Sequence, residues 1–170
     1  MRVLGIDPGS VYCGYGLIRH SEPSHAPRRG RNGGQPVYLS SGRIVLPARK
    51  PLHARLNELY ASLVEVIEEH QPDEIVIEKI FFAKGIKAAL SLGHTRGVVL
   101  LAASLAGLPI HEYSPLEVKK AVVGYGRADK GQVESMVREI LRIGHSLSPD
   151  SADALALALC HAHSTQFAAR

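Results

Sequence analysis

The chain has 170 residues, 45% of them hydrophobic, and a formal net charge of +4. This length and composition predict one globular domain over 1–170, and a mild positive balance permits a polyanionic partner without requiring one. We expect no apolar run to reach the roughly 20 residues of a membrane helix, and the chain starts without the pattern of a signal peptide. We therefore expect a cytoplasmic protein with no membrane association.

Three strands are predicted first. Residues 2–7 form a short apolar run that ends at Asp7, residues 14–18 follow after a tight turn, and residues 37–46 form the third strand. Strands this close in sequence predict an antiparallel meander. Between the second and third strands, the Ser, Pro, Gly and Arg-rich segment 21–36 predicts a flexible basic loop, either a solvated loop or a DNA contact.

The hydrophobic period then changes to that of helices. A helix begins at Leu52, and helix, strand and helix in succession predict a βαβ crossover. Gly93 and Gly97 allow close helix approach, either across a dimer interface or within the core. The remaining predicted elements are strands at 73–78 and 108–113 and helices at 86–106, 115–123, 130–142 and 151–166, with 164–170 as a tail.

Four carboxylates stand at the ends of apolar elements. Asp7 and Glu78 end predicted strands, while Asp150 and Asp153, three residues apart, lie on one face where the last helix begins. Burying acids is costly unless something compensates them, so we expect divalent cations between them if the two strands are neighbours. The alternatives are a turn residue at Asp7 and a helix cap at Asp150.

The ligand types favour Mg²⁺, because the candidate ligands are all oxygens. Two such ions about 3.5–4 Å apart can clamp an in-line displacement at phosphorus.

His161 and His163 are two residues apart and point to different helix faces, so surface or capping roles are expected, although His161 could support the site near Asp153. Cys13 and Cys160 are expected to be buried free thiols.

Six segments in order resemble the RuvC-type Holliday junction resolvases of bacteria. The likeness covers about residues 2–163, and the order of the segments makes it specific. The segments are 5–10, 77–81, 91–97, 118–124, 128–133 and 150–156.

The resemblance implies an α/β, ribonuclease H-like fold, with a five-stranded mixed sheet flanked by helices. It implies a homodimeric endonuclease that resolves four-way DNA junctions by paired symmetric cleavage in recombination and repair, working with the RuvA–RuvB complex. The cofactor implied is Mg²⁺, two ions per site, with Mn²⁺ as a substitute. The acids implied as metal ligands are Asp7, Glu78, Asp150 and Asp153, and the DNA contacts implied are Lys119 and Lys130 near the scissile phosphate and Phe81 stacked on a base.

Other interpretations stay open at this point. Lys119 and Lys130 could be solvated helix charges, and Phe81 could cover the core. A sugar-kinase or chaperone-type ATPase has a similar turn after its first strand, but it needs two such domains. A non-catalytic junction-binding protein would not need Glu78 or Asp153.

Overall fold

The computed structural model describes residues 1–20, 35–79 and 85–168. Within these ranges every predicted strand and helix is present, with ends that differ by a few residues. The strands are β1 (Arg2–Pro8), β2 (Tyr12–Arg19), β3 (Val37–Val45), β4 (Glu74–Glu78) and β5 (Ile110–Tyr113). The helices are α1 (Leu52–His70), α2 (Ile86–Leu105), α3 (Pro115–Val123), α4 (Lys130–Leu141) and α5 (Pro149–Ala168), the last continuing into the segment predicted as a tail.

The five strands form one mixed sheet in the order β3-β2-β1-β4-β5. The first three strands are antiparallel, which confirms the predicted meander, and β1, β4 and β5 are parallel. The central strands β1 and β4 are neighbours, so their carboxyl ends lie side by side. This adjacency is the condition on which the predicted meeting of Asp7 and Glu78 depended.

Both faces of the sheet are covered, and the alternation of side chains along each strand assigns them to two cores. Leu4 and Ile6 of β1 and Ile75 of β4 pack in the core that includes residues of α1 and α2. Val3 and Val76 point the other way, into the core formed with α3, α4 and α5. The faces therefore differ in role: Asp7 and Glu78, in step with Val3 and Val76, lie on the α5 side.

Helix α5 approaches β1 and β2 very closely because glycines face it. A Cβ at Gly5 would lie 1.9 Å from the Ala154 carbonyl oxygen, and one at Gly14 would lie 2.1 Å from the Asp150 carbonyl oxygen. Residues 154–160 of α5 are all buried, as expected for a helix that is apolar on nearly all sides. The beginning of α5 is thereby held against the end of β1, and Cys13 and Cys160 are buried free thiols as predicted.

Helix α2 is much less buried than α5. Ile86 is 82% exposed and Leu105 67% exposed, and the helix is long and apolar enough to cross a membrane by length and composition alone. The expectation that no segment would meet this criterion is therefore wrong. However, Arg96 in the middle of α2 binds the backbone oxygen of Glu78 and pairs with Glu112 of β5 at 2.7 Å, which attaches the helix to the sheet.

The glycines of α2 do not pack against the core that the structure describes. Gly93 and Gly97 are exposed, and among the described atoms nothing lies within 4 Å of the position of a Cβ at either residue. Together with exposed Leu90 and Leu101 they form one apolar face of α2.

The close approach of α5 can be tested by adding a single methyl group. Gly5→Ala should lower the free energy of unfolding by about 2–3 kcal/mol, because the new Cβ collides with the backbone of α5. Gly144→Ala is the matched control and should change it by less than about 0.5 kcal/mol, because that glycine is exposed and its site is open. Urea denaturation would measure both, and equal effects would contradict the packing described here.

Candidate active site

The carboxyl ends of β1 and β4 bring two acids together. Ile6 pairs with Ile77 in the parallel register, so Asp7 and Glu78 follow as neighbours on strands about 4.8 Å apart. Both side chains are partly buried. Two carboxylates in this position repel each other unless protons or cations intervene.

Helix α5 brings the other two predicted acids to the same end of the sheet. Ser148 Oγ accepts a hydrogen bond from the Ser151 amide at 3.2 Å, so Ser148 caps the helix and the capping alternative for Asp150 is wrong. Ser151 Oγ in turn donates to the Gly42 carbonyl of β3 at 2.9 Å. Asp153, one turn into the helix, faces Asp7 and Glu78, while Asp150 lies at the margin beside Gly14.

An open pocket of about 320 Å³ lies between these acids and the helices α3 and α4. Lys130 begins α4, and its Nζ lies 2.8 Å from Asp153 Oδ2. Lys119, on α3, lines the pocket from another side. Both helices begin with capping boxes, which define where each lysine stands. The pocket is lined by Asp7, Glu78, Pro115, Val118, Lys119, Lys130, Val133, Asp153, Ala156 and Leu157.

The pocket carries more negative charge than its lysines compensate. Burial, followed by repulsion from Asp153, Glu78 and Asp150, raises the pKa of Asp7 to about 7, with Lys130 acting in the opposite direction. Burial and Asp153 also raise the pKa of Glu78. The hydrogen bond to Asp153 raises the pKa of Lys130, which stays protonated.

Excess negative charge in a partly buried pocket fits a divalent cation. The donors are carboxylate oxygens, which hard cations such as Mg²⁺ prefer, and no imidazole or thiol lines the described pocket. Strongly shifted carboxylates that converge in a cleft are also typical of functional sites. Asp7, Glu78 and Asp153 are the residues placed to hold such an ion, with Asp150 next to them.

Arg96 is a residue of this site to which the sequence analysis gave no role. Its guanidinium donates to the backbone oxygen of Glu78, and its ion pair with Glu112 holds it in that position. An arginine that interrupts the apolar sequence of α2 was the available signal. By holding the end of β4, Arg96 orients the residue that carries the Glu78 carboxylate.

The two histidines of α5 are more buried than the expected surface or capping roles imply. His161 is almost fully buried, so a surface or capping role for it is wrong; its Nε2 lies 2.6 Å from Glu74 Oε2, and its Nδ1 lies 2.9 Å from the Tyr113 hydroxyl. Burial lowers its pKa. His163 is partly buried, with Nδ1 3.0 Å from the Ala121 carbonyl oxygen.

Two of the sequence predictions concern residues that the structure does not describe. Phe81 and most of the basic segment 21–36 lie outside the described residues.

Comparison with known proteins identifies one family. The family model "Crossover junction endodeoxyribonuclease RuvC" matches residues 3–161. A crossover junction endodeoxyribonuclease RuvC from Desulfitobacterium hafniense (strain DSM 10664 / DCB-2) is 47% identical over 165 residues, which cover 96% of this chain and 93% of the relative.

Solved structures agree with the sequence relatives. The RuvC structure from Thermus thermophilus matches with a TM-score of 0.84 and 32% identity, covering 99% of this chain and 97% of that one. The T. thermophilus RuvC in complex with a Holliday junction substrate also matches with a TM-score of 0.84, at 29% identity, covering 98% and 96%. The predicted ribonuclease H-like fold is therefore confirmed.

Proposed function

The chain belongs to the RuvC family of crossover junction endodeoxyribonucleases, and from this premise we propose that it resolves four-way DNA junctions by paired, symmetric strand cleavage in recombination and repair. The observation that carries the proposal is the convergence of Asp7, Glu78 and Asp153 with Lys130 around one open pocket. The acids provide the means of hydrolysis, and the lysines provide contacts for a phosphate.

The proposed chemistry is hydrolysis of a phosphodiester by water. The described residues lining the pocket include no Ser, Thr, Cys or Tyr, so an attacking water fits better than a covalent intermediate. Asp7, Glu78, Asp150 and Asp153 would hold two Mg²⁺ ions, for which Mn²⁺ could substitute. Bound there, the ions would supply an activated water and neutralise the leaving oxygen.

The basic residues would position the DNA and stabilise charge. Lys130 reaches the pocket from the start of α4, where its ammonium group could serve both Asp153 and a phosphate oxygen in the transition state. Lys119 would bind a neighbouring phosphate from α3. We retain Phe81, three residues beyond Glu78, as the aromatic that stacks on a base near the junction centre.

The alternatives explain fewer observations. An ATPase of the sugar-kinase type requires a second domain, and the family match covers residues 3–161 of a single nuclease. A module that only binds junctions would have no reason to bury Asp7 among three other acids at a cost in stability.

A homodimer would supply the two active sites that paired cleavage requires. The exposed apolar face of α2, formed by Ile86, Leu90, Leu101 and Leu105 with Gly93 and Gly97, is the surface we assign to the second copy. Small residues in the middle of such a face allow two helices to approach closely. Family membership also supports work with the RuvA–RuvB complex and a cytoplasmic location.

The central test is cleavage of a synthetic four-way junction beside a matched linear duplex, with Mg²⁺ and with EDTA. Asp7→Asn should reduce junction cleavage by more than about 100-fold while junction binding in EDTA stays within about threefold, because phosphate contacts do not require this carboxylate. Relief of repulsion should let the variant fold. Glu69→Gln, on the exposed surface of α1, is the control. Near-normal cleavage by Asp7→Asn, or equal cleavage in EDTA, would disprove the metal model.

A second prediction separates catalysis from DNA affinity. Lys130→Ala should slow single-turnover cleavage by about 10–100-fold and weaken binding by less than about threefold, because Lys130 contacts the acids where charge develops. Lys120→Ala changes an exposed lysine that is outside the pocket lining and should leave the cleavage rate nearly unchanged. If Lys130→Ala lost cleavage and binding in equal proportion, Lys130 would only position the DNA.

The dimer surface gives a third prediction. Leu101→Lys places a charge in the middle of the apolar face of α2 and should convert a dimer to a monomer in sedimentation equilibrium. Cleavage should then become unpaired nicking. Val45→Lys, an exposed apolar position on β3, is the control and should stay dimeric. A Leu101→Lys protein that remained dimeric would place the interface elsewhere.

A further inference from the structure

A second cluster of ligand-type side chains lies at the end of β4 opposite the active site. Glu74 begins β4, His111 lies on β5, and His161 lies in the second half of α5. One ligand atom from each residue lies within 4.8 Å of the other two. Among the residues that the structure describes, no other three His, Cys, Asp or Glu side chains have ligand atoms this close together, since the acids of the active site are spread around a pocket.

We propose that Glu74, His111 and His161 form a second metal site, separate from the active site, that binds a transition-metal ion of the Zn²⁺ class. Two imidazoles and one carboxylate suit Zn²⁺ and similar ions, whereas Mg²⁺ prefers oxygen ligands alone. The site therefore differs in chemistry from the carboxylate pocket at Asp7.

Two of the three ligand atoms already have the spacing of a tetrahedral site. Bonds of about 2.0–2.1 Å place neighbouring ligand atoms about 3.4 Å apart, and His111 Nε2 lies 3.4 Å from Glu74 Oε2. The two imidazole ring centroids are 4.3 Å apart, which is about 1 Å closer than in a tetrahedral site, so an entering ion must also separate the rings. His161 Nε2 lies 2.6 Å from the same oxygen, so an entering ion needs this pair to separate by less than about 1 Å.

Both histidines present Nε2 to the same oxygen of Glu74, and Tyr113 lies against the other ring nitrogen of His161. The Tyr113 hydroxyl lies 2.9 Å from His161 Nδ1, so it can accept the Nδ1 proton and leave Nε2 free to bind an ion. His111 Nε2 is buried and forms no hydrogen bond with the described residues, although it faces Glu74. A buried nitrogen of this kind would gain from a ligand.

The site is accessible from one side. The side chain of His161 is 1% exposed, that of Glu74 22% and that of His111 39%, so the cluster is closed toward α5 and open toward solvent at the sheet edge. An ion can enter there, and a water can complete its coordination.

The ion would act as a clamp on the elements that carry the catalytic acids. Glu74 and Glu78 are four residues apart on β4, about 13 Å, and His161 and Asp153 are eight residues apart on α5, about 12 Å. The ion would join the edge strand β5 to β4 and α5 at the Glu74 end of the sheet. This link would stabilise the positions of β4 and α5 relative to each other at the opposite end, where Glu78 and Asp153 lie.

The test uses the whole protein, stripped with EDTA, and Co²⁺ as a spectroscopic probe for Zn²⁺. With excess Mg²⁺ present to occupy the carboxylate pocket, we expect about one equivalent of Co²⁺ to bind with visible absorption typical of tetrahedral coordination. Zn²⁺ should raise the melting temperature by about 5 °C or more at concentrations near 100 times its Kd. Absence of stoichiometric binding would overturn the proposal and leave a hydrogen bond between Glu74 and His161 with the His111 ring packed beside it.

Variants assign the bound ion to one site or the other. His111→Ala, at the most exposed of the three ligands, should fold and should lose the Co²⁺ absorption and the thermal shift. Asp7→Asn and His94→Ala, the latter an exposed histidine of α2, should keep both. Absorption that survives His111→Ala but disappears in Asp7→Asn would place the ion in the carboxylate pocket and overturn the proposal. None of these readouts depends on DNA cleavage, so the result is independent of the proposed function.

Discussion

The contact between α5 and the glycines of β1 and β2 determines the geometry of the whole site. With no side chains between them, the helix backbone lies almost directly on the sheet, and its first turn ends beside Asp7. The cap at Ser148 and the hydrogen bond from Ser151 to Gly42 then fix the beginning of α5 on the sheet. Asp153 reaches the ends of β1 and β4 only because the helix stands this close.

Close placement has an electrostatic cost. Asp7 lies partly buried among three other acids, and its pKa rises to about 7 because neither solvent nor Lys130 offsets the burial and repulsion. The rest of the fold compensates through two apolar cores, one on each face of the sheet. An arrangement that lowers stability and gathers acids around a pocket is typical of sites selected for chemistry, since a purely structural role would favour neutral residues there.

Local sequence patterns were sufficient to predict where the strands and helices lie, but not which of these elements pack against each other. Hydrophobic period and turn residues predicted each strand and helix in the described part of the chain, and Asp7 and Glu78 could be placed at strand ends. The two carboxylates lie close together only because β1 is the neighbour of β4 in the sheet, and no local sequence pattern predicts strand order. Glu74, His111 and His161 are separated by long stretches of chain, so no motif spacing could reveal them. The exposure of α2 was also unpredictable, because apolar composition alone does not distinguish a core helix from one with an uncovered face.

The glycines that face α5 also affect how a mutational map of this protein would be interpreted. Gly5, Gly14 and Gly16 offer no functional group to DNA or to a metal, yet any side chain there would displace the helix that carries Asp150 and Asp153. In a screen scored by activity they would be indistinguishable from residues that perform the chemistry. A screen scored by abundance would separate the two classes, since loss of a carboxylate spares the fold while an added methyl group at these glycines does not.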